Sequence, residues 1–322
     1  MLARLNLTLH FVADRPYTGP AFGGSMLRGA FGLALKRTVC VMRLRECTGC
    51  TLEHACLYTT IFETRPNPEV ALMRNYQRAP HPFLLAVAPP REELARRETG
   101  GALQVNVRLF GDAARAAPFV LKAFEEAGRT GFGAARTPHE LTRVTGADGA
   151  TLWQTGATFR PLRPDTAQPA PVARWSKWRF ISPVRLKKDG KLVGAAELQA
   201  ADLCMSVVRR LGLLAGFFGE GTASLDFQAL KLAAEKASIV GKSLQWRELR
   251  RYSSRQSMEL AMGGLTGELT LDHGGDEALA QVLAWAPVLH VGKAATMGLG
   301  EVMIEDLPSA ALATSKPDEV AA

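Results

Sequence analysis

Acidic residues are in short supply in this chain: 31 Asp and Glu face 39 Lys and Arg, a formal net charge of +8 at pH 7 with a pI of about 9.4. That deficit fits a polyanionic partner, although histone-like or ribosome-like charge density is missing. Long apolar runs are missing too. The run at residues 211–218, LGLLAGFF, is far shorter than a membrane span requires. The first residues, Met1-Leu2-Ala3-Arg4-Leu5-Asn6, alternate in polarity and offer no apolar core of a secretory signal. The chain is therefore read as cytoplasmic, with no membrane partner. In a reducing compartment five cysteines do not build a disulfide framework. A nucleotide-binding P-loop is also absent. Gly292-Lys293-Ala294-Ala295-Thr296 holds the right residue types in the wrong order, with no Gly-Lys-Ser/Thr opening a helix.

What is present reads as an ordinary soluble α+β protein. The 322 residues are 47% hydrophobic and 22% charged, enough for one large or two ordinary domains. Leu5, Leu7, Leu9 and Phe11 alternate as a half-buried strand. From Ser25 to Val39 the period changes to that of a helix, with Leu27, Ala30, Phe31, Ala34 and Leu35 as its apolar stripe. At about 100° per residue, Ser25, Arg28, Gly32 and Lys36 share a small, basic neighbouring face. Strands are expected at 83–87 and 103–110, a helix at 113–127 with Phe119, Val120, Ala123 and Phe124 inward, and a strand at 139–145. Four prolines in residues 161–171 mark a linker. The pattern then restarts: strand 180–186, a turn at Asp189-Gly190, helix 195–217, strands near 244–249 and 265–271, helix 276–286 and strand 302–304. The repeated strand–helix–strand–strand–helix–strand order predicts two tandem ferredoxin-like domains. The expected division is 1–160, linker 161–173, 174–307 and a disordered tail, 308–322.

Three segments carry chemistry. Cys40, Cys47, Cys50 and Cys56 lie within 17 residues, and four thiolates can close a tetrahedral zinc shell. Gly49 suits the turn inside the Cys-x-x-Cys. An iron–sulfur cluster uses the same four ligands and is the alternative. With no position left for water, such a knuckle (residues 40–56) is structural, and Cys204 on an apolar helix belongs to the core. The second segment, 292–300, supplies three glycines, Lys293 and Thr296, a combination suited to a phosphate backbone. The third packs Arg247, Arg250, Arg251 and Arg255 around Trp246 and Tyr252, offering bidentate phosphate contacts and stacking platforms. A fourth run, Arg174-Trp175-Ser176-Lys177-Trp178-Arg179, reads either as another RNA contact or as a strand with its aromatics in the core. His81 lies between Pro80 and Pro82 as a turn, while His10 and His273 read as solvated.

Ser25-Met26-Leu27-Arg28-Gly29-Ala30-Phe31-Gly32, the four cysteines with Leu57-Tyr58 and Ile61-Phe62-Glu63 after them, Arg251–Gln256 with Gly263–Leu269, and the loop from His290 to Gly300 occur here in one order. In that combination the chain resembles the CRISPR precursor-RNA processing endoribonucleases of the RAMP superfamily (the Cas six family), in a cysteine-bearing branch. The resemblance covers residues 5–304. It implies a repeat-RNA-binding endoribonuclease in which the RNA 2′-hydroxyl attacks the neighbouring phosphate without metal, leaving a 2′,3′-cyclic phosphate. It implies crRNA and other CRISPR effector subunits as partners. A non-catalytic RAMP subunit that holds crRNA is the alternative. The family often places a histidine on the first helix. None occurs between Ser25 and Arg37, and Leu33 stands in its place. The resemblance then points to Arg28, Lys36 and Tyr17 as catalytic, with His290 the histidine best placed to contribute. It points to Gly292, Lys293, Thr296, Gly298, Gly300, Arg250, Arg251 and Arg255 as RNA contacts.

Overall fold

Leu5, Leu7, Leu9, Phe11 and Ala13 are all buried on one face of β1 (Arg4–Ala13), as alternation requires. The computed structural model describes residues 2–20, 22–43, 46–66, 79–88, 96–97, 100–158, 162–219, 225–253 and 258–308. After β1 come β2 (Tyr17–Thr18), α1 (Gly23–Val39), α2 (Leu57–Ile61), β3 (Phe83–Ala88), β4 (Arg96–Arg97), β5 (Ala102–Phe110), α3 (Ala117–Thr130), β6 (His139–Thr145) and β7 (Thr151–Gln154). These strands form an antiparallel sheet in the order β3-β5-β1-β6-β7, with β2 and β4 paired apart from it. Leu27, Phe31 and Leu35 of α1 and Val120 and Phe124 of α3 cover one face. Burying each such side chain contributes about 1.5–3 kcal/mol.

The second half repeats the plan. β8 (Trp175–Val184), the small hairpin β9 (Lys187–Lys188) and β10 (Lys191–Leu192), α4 (Ala200–Phe218), α5 (Phe227–Lys236), β11 (Ser238–Arg247), β12 (Arg250–Ser253), β13 (Met258–Ala261), β14 (Gly264–Asp272), α6 (Glu277–Leu283), α7 (Ala286–Leu289) and β15 (Val302–Leu307) follow. The sheet runs β11-β14-β8-β15, antiparallel throughout. In both halves the second, third, first and fourth strands of a β-α-β-β-α-β succession lie side by side in that order.

The expected turn is present: Asp189 and Gly190 both have positive φ, joining β9 to β10. Two expectations fail. Phe119 is 47% exposed, at the rim of the α3 stripe whose Val120, Ala123 and Phe124 are buried. His273 is buried at 3% exposure, and neither ring nitrogen has a hydrogen-bond partner among the described residues. The expected tail beyond residue 308 lies outside the described residues.

The two halves share more than a tether. Leu2, Leu84 and Phe110 of the first half are buried in the core of the second. The proline-rich connection is docked along its length. Arg4 pairs with Asp165 (2.6 Å) and donates to the Ala167 carbonyl (2.7 Å), while Trp285 Nε1 donates to Gln168 Oε1 (3.2 Å). Among the described residues no helix is long and apolar enough to cross a membrane.

Candidate nucleic-acid interface and active site

Tyr58 and Phe62 are four residues apart, so they meet α1 together from the short helix α2. Gly32 makes the room: a Cβ there would overlap the Phe62 ring. On that ring lies the Arg28 guanidinium, 4.3 Å from the centroid. One turn further along α1, the Lys36 ammonium lies 5.4 Å from the Tyr58 centroid. Such cation–π contacts contribute about 0.5–2 kcal/mol each. At the first turn of α1, Arg251 of β12 donates from Nη1 to Ser25 Oγ (3.0 Å). Two arginines, one from each half, thus converge on one helix end.

Nε of Arg28 and Nε of Arg251 are buried, with no hydrogen-bond partner among the described residues. Burial pulls the Arg28 pKa down, the Tyr58 hydroxyl opposes the fall, and the charge of Arg251 adds to it. An acceptor between these donors would remove a desolvation cost of about 1–3 kcal/mol per group. Tyr58 donates to Glu63 Oε1 (3.3 Å), and burial followed by the Glu63 charge holds its hydroxyl protonated well above the usual range. Lys36 is also engaged by the Cys47 thiol, whose pKa burial raises and Lys36 opposes.

His81 closes the group. Its ring stacks on Phe62 (6.4 Å between centroids, 18°) and on Phe83 (6.1 Å, 25°). Its Nδ1 lies 3.4 Å from Thr64 Oγ1. Burial, with Arg28 and Arg210 nearby, lowers its pKa to about 4. Sequence reading gave this histidine only a turn. The Pro80-His81-Pro82 context hid the aromatic layer into which it folds.

The glycine segment is a structural wedge. The N–H groups of Lys293 and Gly300 donate to the carbonyls of Arg185 and Pro183, those of Met297 and Gly298 bond within the segment, and that of Gly292 reaches Ser206 Oγ (3.1 Å). These five donors are therefore spent inside the protein, whereas the Lys293 side chain is exposed and Thr296 half-buried. The segment abuts the first half: a Cβ on Gly24 would fall on the Met297 carbonyl, and one on Gly298 (φ +86°) would come 2.6 Å from the Leu85 carbonyl. His290, at its base, is 5% exposed, has φ +59° and donates from Nδ1 to the Leu299 carbonyl (3.2 Å). Burial, reinforced by Arg108 and Arg210, lowers its pKa to about 3. Its ring is buried in the region that Arg108 and Arg210 flank.

Two arginines that sequence reading missed hold this region. Arg108 of β5 crosses from the first half to the carbonyls of Pro287 (3.0 Å) and Val288, and Arg210 of α4 donates from Nε to the Leu289 carbonyl (2.6 Å). Burial lowers each to about 10. They cap the C-terminal carbonyls of α7, where the helix dipole favours positive charge.

The remaining sequence candidates divide. Arg250 is exposed and pairs loosely with Glu259 (3.7 Å), and Arg255 lies outside the described residues. Tyr17 is buried, its hydroxyl on Met26 Sδ (3.2 Å) and its ring edge-on to His139, so it supports α1 from beneath. Trp178 is fully buried, with Nε1 on Ser176 Oγ (3.0 Å), while Lys177 and Arg179 pair with Glu268 and Arg174 with Asp272. That run is a core strand with compensated charges. The exposed hairpin β12–β13 stays close to α1 through Arg251, and Arg185 ties its base to the carbonyls of Gly263 and Ala261.

The cysteines flank the same face. Cys40 caps α1, Cys56 caps α2, and Cys47 and Cys50 bracket a turn at Gly49 (φ +76°). As a donor set, four thiols suit zinc. Among the described residues, however, no group of three or more His, Cys, Asp or Glu side chains is arranged to hold a metal ion. Cys204 is fully buried in α4, and burial pushes its thiol up to about 12.

A family described as an N-terminal domain matches residues 2–166. The model of the CRISPR-associated endoribonuclease Cas6 matches residues 178–302. Residues 178–302 are thus similar to the Cas6 endoribonuclease family. An uncharacterized protein of Archaeoglobus fulgidus is 24% identical over 309 residues, 93% of this chain and 96% of its own. Thermus thermophilus Cas6 aligns with a TM-score of 0.53 at 17% identity, covering 95% of this chain and 99% of that one. A Cas6 product complex gives 0.56 at 19% identity over 94% and 99%. A partial Cas6-RT-Cas1–Cas2 complex gives 0.56 at 13% over 96% and 47%. At these identities the structural likeness is one of fold.

Proposed function

We propose that this protein is a cytoplasmic endoribonuclease that binds CRISPR repeat RNA along the face formed by α1 and the β12–β13 hairpin, and cuts it by attack of the 2′-hydroxyl on the adjacent phosphate. The observation that carries the reading is the pair of arginines at the N-terminal end of α1, Arg28 and Arg251, each with a buried Nε that has no hydrogen-bond partner among the described residues. Guanidinium groups fixed in advance where a phosphorane develops charge stabilise it without reorganisation. The two βαββαβ units then act as tandem ferredoxin-like domains, 1–160 and 174–307, and the product carries a 2′,3′-cyclic phosphate. No catalytic metal takes part. The test is single-turnover incubation of end-labelled repeat RNA in EDTA. One cut at a single position with a cyclic-phosphate end supports the reading. Tight binding with no cut under any metal condition replaces it with a non-catalytic subunit that holds crRNA among other effector proteins, a role consistent with the absence of histidine on α1 and the exposure of Leu33.

The four cysteines carry a separate proposal. Cys40, Cys47, Cys50 and Cys56 bind one structural zinc ion, which would tie the end of α1 to the start of α2. Spacing and donor chemistry support it. Elemental analysis should find about one zinc per chain, whereas iron in its place would favour a cluster, and four freely titrating thiols with no metal would remove the idea.

A further inference from the structure

The proposed attack needs a group that takes the 2′-hydroxyl proton. Arginine cannot, because guanidinium keeps its own proton far above neutral pH. The chain has six histidines. His139, His273 and His290 are buried. His10 sits on the first sheet against Thr145 Oγ1, and His54 stands in solvent beside Glu53. On the reading that this chain cleaves RNA, we propose that His81 is the proton acceptor for the attacking 2′-hydroxyl, acting beside Arg28 and Arg251.

The geometry carries this assignment. His81 and Arg28 pack on the same ring, Phe62, and Phe62 is seated on Gly32 of α1. The imidazole is therefore held by stacking, the arrangement that fixes a ring plane without consuming its nitrogens. Thr64 meets Nδ1, and Nε2 has no protein partner among the described residues. Among the described residues, the charged groups acting on the ring are Arg28 from α1 and Arg210 from α4. Both favour the neutral imidazole, which is the form that accepts a proton. A phosphate arriving between Arg28 and Arg251 would offset their charge and make the imidazole more basic when the substrate is in place.

The step balances without a co-reactant. The 2′-oxygen forms its bond to phosphorus as its proton passes to Nε2. The bond from phosphorus to the 5′-oxygen breaks, and that oxygen takes a proton from solvent. The imidazolium then returns its proton to solvent. Arg28 and Arg251 hold the non-bridging oxygens throughout.

His81→Phe keeps the aromatic stack and removes both nitrogens. His81→Ala opens a space between Phe62 and Phe83 that free imidazole can enter. Both variants are compared with the wild-type protein in single-turnover cleavage, repeat-RNA binding and rate against pH. His81→Phe should cut at least about a hundredfold more slowly with its Kd for RNA within about threefold of wild type, and should lose the acid limb of the pH profile. His81→Ala should be similarly slow and regain rate on addition of imidazole. Wild-type rates in both variants overturn the assignment, as does a slow His81→Ala that imidazole does not rescue alongside a fast His81→Phe. A wild-type protein that binds the repeat but never cuts it overturns the endoribonuclease reading itself, and His81 with it.

Discussion

Gly32 is the residue on which the arrangement at α1 depends, because the Phe62 ring occupies the space a side chain would take. Gly32→Ala should push Phe62 off α1 and with it the guanidinium it supports. The overpacking should cost about 1–3 kcal/mol, readable in urea unfolding. A displacement near 1 Å of Arg28 should slow cleavage about a hundredfold in single-turnover assays. His290 makes a prediction about pH. Its folded pKa of about 3 lies below the ordinary 6.5, so the unfolded chain takes up the proton first. Its contribution to stability is complete above pH 6.5 and declines as pH falls through that window, by up to about 1.4 kcal/mol per pH unit. Urea midpoints measured from pH 7 to pH 4 should fall steeply in the wild type and less steeply in His290→Asn. Equal slopes would remove this role. At this scale the sequence was a partial guide. Arg28, Lys36 and Ser25 share the face that helical spacing assigns them, but no local pattern reveals that His81 stacks with Phe62 or that His290 is sealed.

Among the elements, those with strong periodicity were legible. β1 and β5 alternate cleanly over seven or more residues, and α1 and α4 carry long apolar stripes. The short pieces were not. α2 has five residues and β12 and β13 four each, too few for either period to register. Yet these are the pieces that build the candidate site, since α2 presents Tyr58 and Phe62 and β12 presents Arg251. The hairpin argues a third prediction. Arg251→Ala frees β12–β13 from Ser25 and removes one cation from the proposed RNA face. Affinity for repeat RNA should drop about tenfold, and the slope of log Kd against log salt should shrink by about one phosphate contact. An unchanged slope in a filter-binding titration would place Arg251 outside the interface.

In the whole molecule, the two halves are joined by contacts that sequence cannot advertise. Arg108 reaches carbonyls some 180 residues away, so nothing near it in the chain signals the role. Its loss takes the guanidinium donor from two partly buried carbonyls, and each unsatisfied group costs about 1–3 kcal/mol when fully buried. Arg108→Met should therefore lower unfolding stability by about 2–4 kcal/mol, and limited proteolysis should begin in the connection at 162–173. If the variant unfolds at wild-type urea concentrations, the contact is not a clamp.

The wedge at 292–300 also bears on how the molecule comes into being. A ribosome releases residues 2–166 well before the segment that braces Gly24 and the Leu85 carbonyl. Until then the nascent first half stands with Leu84 and Phe110 uncovered, since their neighbours belong to the later half. Folding is thus completed backwards along the chain, with the last part made finishing the first. A half-made protein of this design offers apolar surface to chaperones for most of its synthesis. It also follows that the two halves, produced as separate polypeptides, should each be poorly soluble alone and should recover a common native state when synthesised together.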